Sequence, residues 1–214
     1  MILNSCHLSR EYMGKYLNLF LVVLTLVLTG CSTAPFSPTT SAKSYGAGNI
    51  QSEIGNNNST YHLKFGLGVS DNFDAGFVME FGAISTSALF FKYAFLNNKI
   101  GPSMGFEFGY GSTETTQFYY GGLNASLAFT EFFEVWFNGR LNQVNTAEED
   151  IEKDSFHGNI KLTAYKLTYF QSSVGFNVWL TPNTGFAIYG TYFKGDDLET
   201  KQDTIYGGSI LVNF

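Results

Sequence analysis

Charge is scarce in this chain: Asp, Glu, Lys and Arg make up 14% of its 214 residues, against roughly 25% in an ordinary soluble domain. Proline is rare, at 4 residues, and cysteine rarer, at 2. Long hydrophobic runs are nearly missing. One stretch, Leu17 to Leu28, is apolar apart from Asn18 and Thr25, and it falls short of the roughly 20 residues a membrane-crossing helix needs. That excludes a helical membrane protein. Basic residues are outnumbered 12 to 18, for a net charge of −6, so the chain has no electrostatic footprint for nucleic acid or for anionic lipid headgroups. There is no Cys/His cluster, no His-Glu-x-x-His and no phosphate-cradling Gly loop, and hence no metal or cofactor motif.

What the chain has in quantity is aromatics, at 17% (22 Phe, 13 Tyr, 2 Trp), together with 23 Gly and a mean hydropathy near zero. Such a composition is neither disordered nor collagen-like. The short apolar run follows Arg10 and Lys15 and ends in Leu28-Thr29-Gly30-Cys31, the layout of a secretory signal. Met13-Gly-Lys15 would by itself open a normal signal, so translation starts at either Met1 or Met13.

The four residues ending at Cys31 resemble the bacterial lipobox, in which Leu, a small residue and Gly precede a Cys that is acylated before cleavage on its amino side. The resemblance implies a signal peptide over 1–30, a lipid (palmitate) on Cys31, and the lipoprotein-processing machinery as a partner. Because Ser32 rather than Asp follows the cysteine, it also implies export to the outer membrane. Ordinary cleavage after Ala34 is the alternative. Cys6 is lost either way, so the mature chain has no thiol pair to oxidise. Cleavage before Cys31 leaves 10 basic and 17 acidic residues, a net −7. Residues 31–44, rich in Ser, Thr, Ala and Pro, have no periodic pattern and read as a flexible tether.

From Tyr45 to Phe214 the chain repeats about ten residues of apolar and polar alternation, followed by a cluster of Asn, Asp, Ser, Thr, Gly or Pro. That is strand and turn. Strands are expected near 45–54, 60–69, 74–82, 87–95, 103–111, 117–129, 134–144, 165–180, 185–193 and 204–214, with eight or twelve as neighbouring counts. The connections alternate between tight ones (Ser70 to Phe73, Leu96 to Pro102, Thr130 to Phe133, Thr181 to Thr184) and variable ones, including a long segment from Asn145 to Ala164. Transmembrane barrels alternate in this way, with short periplasmic turns and longer outer loops.

One parity of each strand is oily: Leu63, Phe65, Leu67, Val69; Leu89, Phe91, Tyr93, Phe95; Met104, Phe106, Phe108, Tyr110; Val174, Phe176, Val178, Leu180. The other carries Glu53, Lys64, Glu80, Lys92, Glu107 and Arg140, about one charge per strand. A soluble lipocalin-like barrel would turn the oily face inward around a ligand, and a membrane barrel turns it to lipid. A water-facing surface with one charge per strand is too bare for a soluble protein, which favours the membrane. The chain ends in Tyr206, Ile210, Val212 and Phe214 on alternate positions. This end resembles the C-terminal signature read by barrel-insertion machinery, and 45–214 as a whole resembles the small outer-membrane β-barrel proteins.

The expected architecture is thus an all-β, antiparallel, up-and-down transmembrane barrel of about ten strands, in contact with outer-membrane lipids. Glu53, Lys64, Glu80, Lys92 and Glu107, alternating in sign on successive strands, are expected to form a salt-bridge ladder in a filled lumen. Acidic groups collect in the outer loops as Glu148, Glu149, Asp150, Glu152, Asp154, Asp196 and Asp197. They are expected to be solvated, with loose Ca²⁺ or Mg²⁺ binding or a basic partner as alternatives. No catalytic residue is assigned. His62 reads as a lumen hydrogen-bonding residue. His157, beside Asp154 and Ser155, is the candidate for the alternative barrel-enzyme reading, which requires a triad geometry that sequence adjacency does not provide.

Overall fold

The computed structural model describes residues 35, 37–58, 60–82, 85–113, 116–146, 149–151, 160–162, 166–195 and 204–214. Among them are twelve strands: β1 (Ile50–Asn57), β2 (Thr60–Gly68), β3 (Phe73–Gly82), β4 (Thr86–Leu96), β5 (Gly101–Ser112), β6 (Thr116–Ala128), β7 (Phe133–Thr146), β8 (Glu149–Ile151), β9 (Ile160–Leu162), β10 (Lys166–Trp179), β11 (Thr184–Lys194) and β12 (Thr204–Asn213). Ten of these close into one antiparallel barrel. The order around it is β1, β12, β11, β10, β7, β6, β5, β4, β3, β2, while β8 and β9 pair as a separate two-stranded sheet. Closure leaves the barrel no open sheet edge, which is what an environment without water demands of a β-structure. Where β1 meets β12, Ile50 and Phe214 exchange backbone hydrogen bonds of 2.8 and 3.2 Å.

The ten expected barrel strands are all present, with one shift. The first begins at Ile50 rather than Tyr45. Residues 46–49 form a turn, with Gly46 and Gly48 at φ of 84° and 79°, in the left-handed region where glycine carries no steric penalty. The turn packs on the end of β2, where Gly48 and Asn49 bond the backbone of Gly68 at 2.8 and 2.9 Å. A β-carbon at Gly68 would collide with the Gly46 carbonyl, and one at Gly66 with the Tyr45 ring.

The alternation resolves the question of which face lies inside. Leu89, Phe106, Phe108, Val174, Ile188 and Ile210 are exposed on the outer wall, Val174 at 58%. Across the wall the charged set is buried, each residue at 6% exposure or less. Tyr61, Tyr110, Tyr119, Tyr192 and Tyr206 stand outward near the rim that carries the variable loops, and Phe95, Phe129, Phe132 and Phe214 near the rim of tight turns. Two aromatic girdles around an apolar band mark a barrel that meets lipid. Stacked rings run across the outer wall, Phe73 on Phe91 at 6.3 Å and Phe91 on Phe108 at 5.1 Å between centroids. At the tight-turn rim Lys99 and Glu131 pair at 2.7 Å, and the lysine's hydrogen bond holds the Glu131 carboxyl below its ordinary range.

This orientation predicts that Val174→Arg, at mid-strand on the outer wall, destabilises the barrel in phospholipid vesicles by about 2–4 kcal/mol. A water-facing valine would give a change within about 0.5 kcal/mol. Reversible urea unfolding in vesicles reads the difference.

Candidate functional site: the lumen and the segment inside it

The lumen has two zones. Toward the variable-loop rim, β6, β7, β10, β11 and β12 contribute Phe118, Val144, Tyr169, Phe193 and Ile205 to one apolar cluster. Below it the wall is polar. Among the described residues eight charged side chains of the wall are buried: the acids Glu53, Asp74, Glu80, Glu107 and Glu134, and the bases Lys64, Lys92 and Arg140. Charges in a low-dielectric interior cost several kcal/mol each unless they are paired and hydrogen-bonded.

The partner is the chain's own N-terminal segment. Pro35, Ser37, Pro38, Thr39, Thr40 and Ala42 are buried, in the stretch whose composition reads as a flexible tether. The structure corrects that reading for the described part of 31–44, which lies inside the barrel along the polar wall. Each of the five acids receives a donor from it. The Ser37 N–H donates to Glu80. The Thr39 hydroxyl donates to Glu107, and that of Thr40 to Glu53 at 3.2 Å. Ser41 donates to Glu134 at 2.9 Å and Ser44 to Asp74 at 2.6 Å. Each of the three bases finds an acceptor on it as well. Arg140 donates to the Ser37 carbonyl at 3.3 Å, Lys64 to the Thr39 hydroxyl at 3.3 Å, and Lys92 to the carbonyls of Ser41 and Lys43. Lys43, half-buried, approaches Glu134 at 3.9 Å.

The expected ladder takes a different form. The register does set Glu53 opposite Lys64 and Lys92 opposite Glu107. Yet Lys92 closes its ion pair with Asp74 at 3.1 Å, and Glu53 lies 3.2 Å from His62 while accepting from Ser209 at 2.7 Å. Lys64 sits over the Phe90 ring at 4.6 Å. Arg140 clamps Gln171 through two nitrogens at 2.8 and 3.0 Å and covers the Tyr120 ring at 4.6 Å. The charged side chains thus divide their bonds between the segment and wall neighbours, among them Asp74 and Gln171, which stand opposite Lys92 and Arg140 in register. Asp74 and Glu134, absent from the sequence-based set, share parity with Glu80 and Arg140 respectively; parity extended to the strand ends would have found them.

At the tight-turn mouth a cavity of about 350 Å³ opens between Lys43, Tyr45, Glu134, Asn177, Trp179 and Asn213. No group of three His, Cys, Asp or Glu residues suited to a metal ion occurs among the described residues. Cys31, Glu148, Glu152, Asp154, His157, Asp196 and Asp197 lie outside the described residues, and Glu149 and Asp150 open β8. Of the C-terminal set, Tyr206, Ile210 and Phe214 face outward, with Val212 half-buried beside them.

No family model matches the chain, and no curated protein matches it. Solved structures with a similar fold are the N-terminal β-barrel domain of Pseudomonas aeruginosa OprF, the KdgM porin, and the Yersinia pestis outer membrane protein Ail in a phospholipid bilayer nanodisc. Sequence identities to them are 14%, 12% and 10%, and TM-scores 0.36, 0.44 and 0.38. Each match covers 78% of this chain and, in the same order, 96%, 99% and 99% of the other. The likeness is one of fold.

Because Lys92 is buried against Asp74, Asp74→Ala leaves an uncompensated cation, with an expected cost of about 3–5 kcal/mol. Combining Asp74→Ala with Lys92→Met recovers most of that loss. The double-mutant cycle, read by urea unfolding in vesicles, checks both values.

Proposed function

We propose that this protein is an outer-membrane β-barrel lipoprotein with a filled lumen, and that it serves envelope structure or surface interaction through its outer loops. The observation that carries the reading is the set of eight buried wall charges, all bonded to residues 37–44. A transport barrel needs solvated charges along a path, whereas here the charges hold a polypeptide. The tight turns face the periplasm and the variable loops face outward, as in outer-membrane barrels generally. The C-terminal Tyr206, Ile210, Val212 and Phe214 present the pattern that barrel-insertion machinery reads.

Acylation at Cys31 completes the anchor. Five residues lie between Cys31 and Ser37, a reach of at most about 22 Å, so the lipid and the lumen segment belong to one short stretch. The acidic outer loops are solvated surface available to divalent cations or to a basic partner. No cofactor is required. A narrow channel is the second reading, favoured by the excess of two acids on the buried wall, which would prefer cations.

The purified protein is expected to migrate faster in detergent gels before boiling than after, and to give no conductance above background in planar bilayers. Steady conductance from the intact chain would replace the filled-lumen reading with the channel. Labelled palmitate is expected to enter the wild type and not Cys31→Ala, and persistent label in the variant would remove the lipobox assignment. Hydrolase or acyltransferase activity that is lost in His157→Ala would instead favour the barrel enzyme.

A further inference from the structure

The bonds that hold residues 37–45 are those of a receptor holding a peptide. Half of them address the main chain. Glu80 takes the Ser37 N–H and Arg140 the Ser37 carbonyl. Asn177 donates to the Thr40 carbonyl at 2.6 Å, Lys92 donates to the carbonyls of Ser41 and Lys43, and Asp74 accepts the Tyr45 N–H at 3.1 Å. Main-chain bonding of this kind supports affinity without dictating sequence, while the side-chain pockets set specificity. Between Ser37 and Ala42 the side chains held are all small. Thr39, Thr40, Ser41 and Ser44 each offer one hydroxyl to one acid, and Ala42 is fully buried, at 1% exposure. The link to the barrel is a separate element, the exposed Ala47–Gly48 turn. A β-carbon at Gly48 would meet nothing within 4 Å.

We infer that the lumen wall is a peptide-binding site for a segment rich in small, hydroxylated residues, and that residues 37–45 are its tethered ligand, able to bind without the covalent link. The inference rests on the plugged-barrel reading and goes beyond it. A plug that is part of the fold cannot be exchanged, whereas a ligand can.

The test uses the full chain with a protease recognition sequence inserted after Ala47, cut after folding. The cut barrel is expected to keep its heat-dependent mobility and to bind a fluorescent synthetic peptide of residues 35–46 saturably, with displacement by the unlabelled peptide. A peptide with Ala42→Trp is expected to compete at least about tenfold more weakly, because a large side chain at this fully buried position overpacks the site. Thr39→Val with Thr40→Val removes the donors to Glu107 and Glu53 and is expected to lose about tenfold or more. Exchanging Ser for Thr at the same positions keeps the hydroxyls and is expected to change binding by less than about threefold, within the spread of such measurements.

Three results overturn the inference: loss of the heat-dependent shift on cutting, failure of the labelled peptide to enter a cut barrel that keeps the shift, or equal competition by the Ala42→Trp peptide. A missing shift in the uncut chain rejects the plugged barrel itself and the binding site with it.

Discussion

The structure depends on one electrostatic constraint: a barrel wall this polar, closed around so narrow a space, must find partners for eight charges that it has removed from bulk water. Wall-to-wall pairing would be the simplest answer, but the acids outnumber the bases five to three, so it leaves carboxylates over. The segment before β1 supplies what is missing in the form the acids need. Hydroxyls and two amide N–H groups donate to carboxylates without adding charge, and the segment's carbonyls accept from the bases. A run of small residues can do this in a narrow space. A run of lysines, with long stems and bulky hydration, would not fit. Threonine, serine, proline and alanine at 37–42 are the composition that this packing permits.

The outer wall answers the opposite constraint. Lipid rewards apolar surface and offers no hydrogen bonds, so backbone polar groups must be paired around a closed ring. The strand period of two then sorts every residue, because a side chain that is not in lipid is in the lumen. Leu89, Phe91 and Tyr93 alternate with Phe90, Lys92 and Ala94 on β4, and the register between β4 and β5 places Lys92 beside Glu107 on the inner side and Phe91 beside Phe108 on the outer. The same alternation produces the aromatic girdles and the charged lumen together.

That coupling explains what was legible in the sequence. Alternation and turn clusters specify strands and faces locally, so ten strands, the tight-turn set and the inward position of Glu53, Lys64, Glu80, Lys92, Glu107 and Arg140 were all within reach of a single chain. Two features were not. A Ser/Thr/Pro stretch has the composition of a linker whether it hangs free or lies in a lumen, and its burial depends on walls contributed by strands up to residue 177. The start of β1 was misplaced for a related reason: Tyr45 fits the apolar parity of a strand, but its ring lies over Lys92 at 4.3 Å, against Gly66. Register, which sequence parity does describe, fixes which backbones are adjacent. It leaves open where a long Lys or Glu side chain ends, and Lys92 reaches Asp74 although its strand neighbour on the other side is Glu107.

Closure and filling meet at Glu53. It stands on β1, the strand that completes the ring with β12, and it takes bonds from three sources, Ser209 on β12, His62 on β2 and Thr40 of the segment, with Lys64 directly opposite in register. A single carboxylate therefore ties the first strand, the last strand and the lumen segment together. Before β12 arrives, Glu53 lacks the Ser209 hydroxyl. Without the segment, it lacks Thr40. The segment also leads directly into β1 through the Gly46–Gly48 turn, so the strand that seals the barrel carries with it the residues that fill it. The seam keeps the Ser209 and His62 contacts of Glu53 whether or not the segment is present, so the wall that closes the barrel also stands ready to receive the residues that fill it.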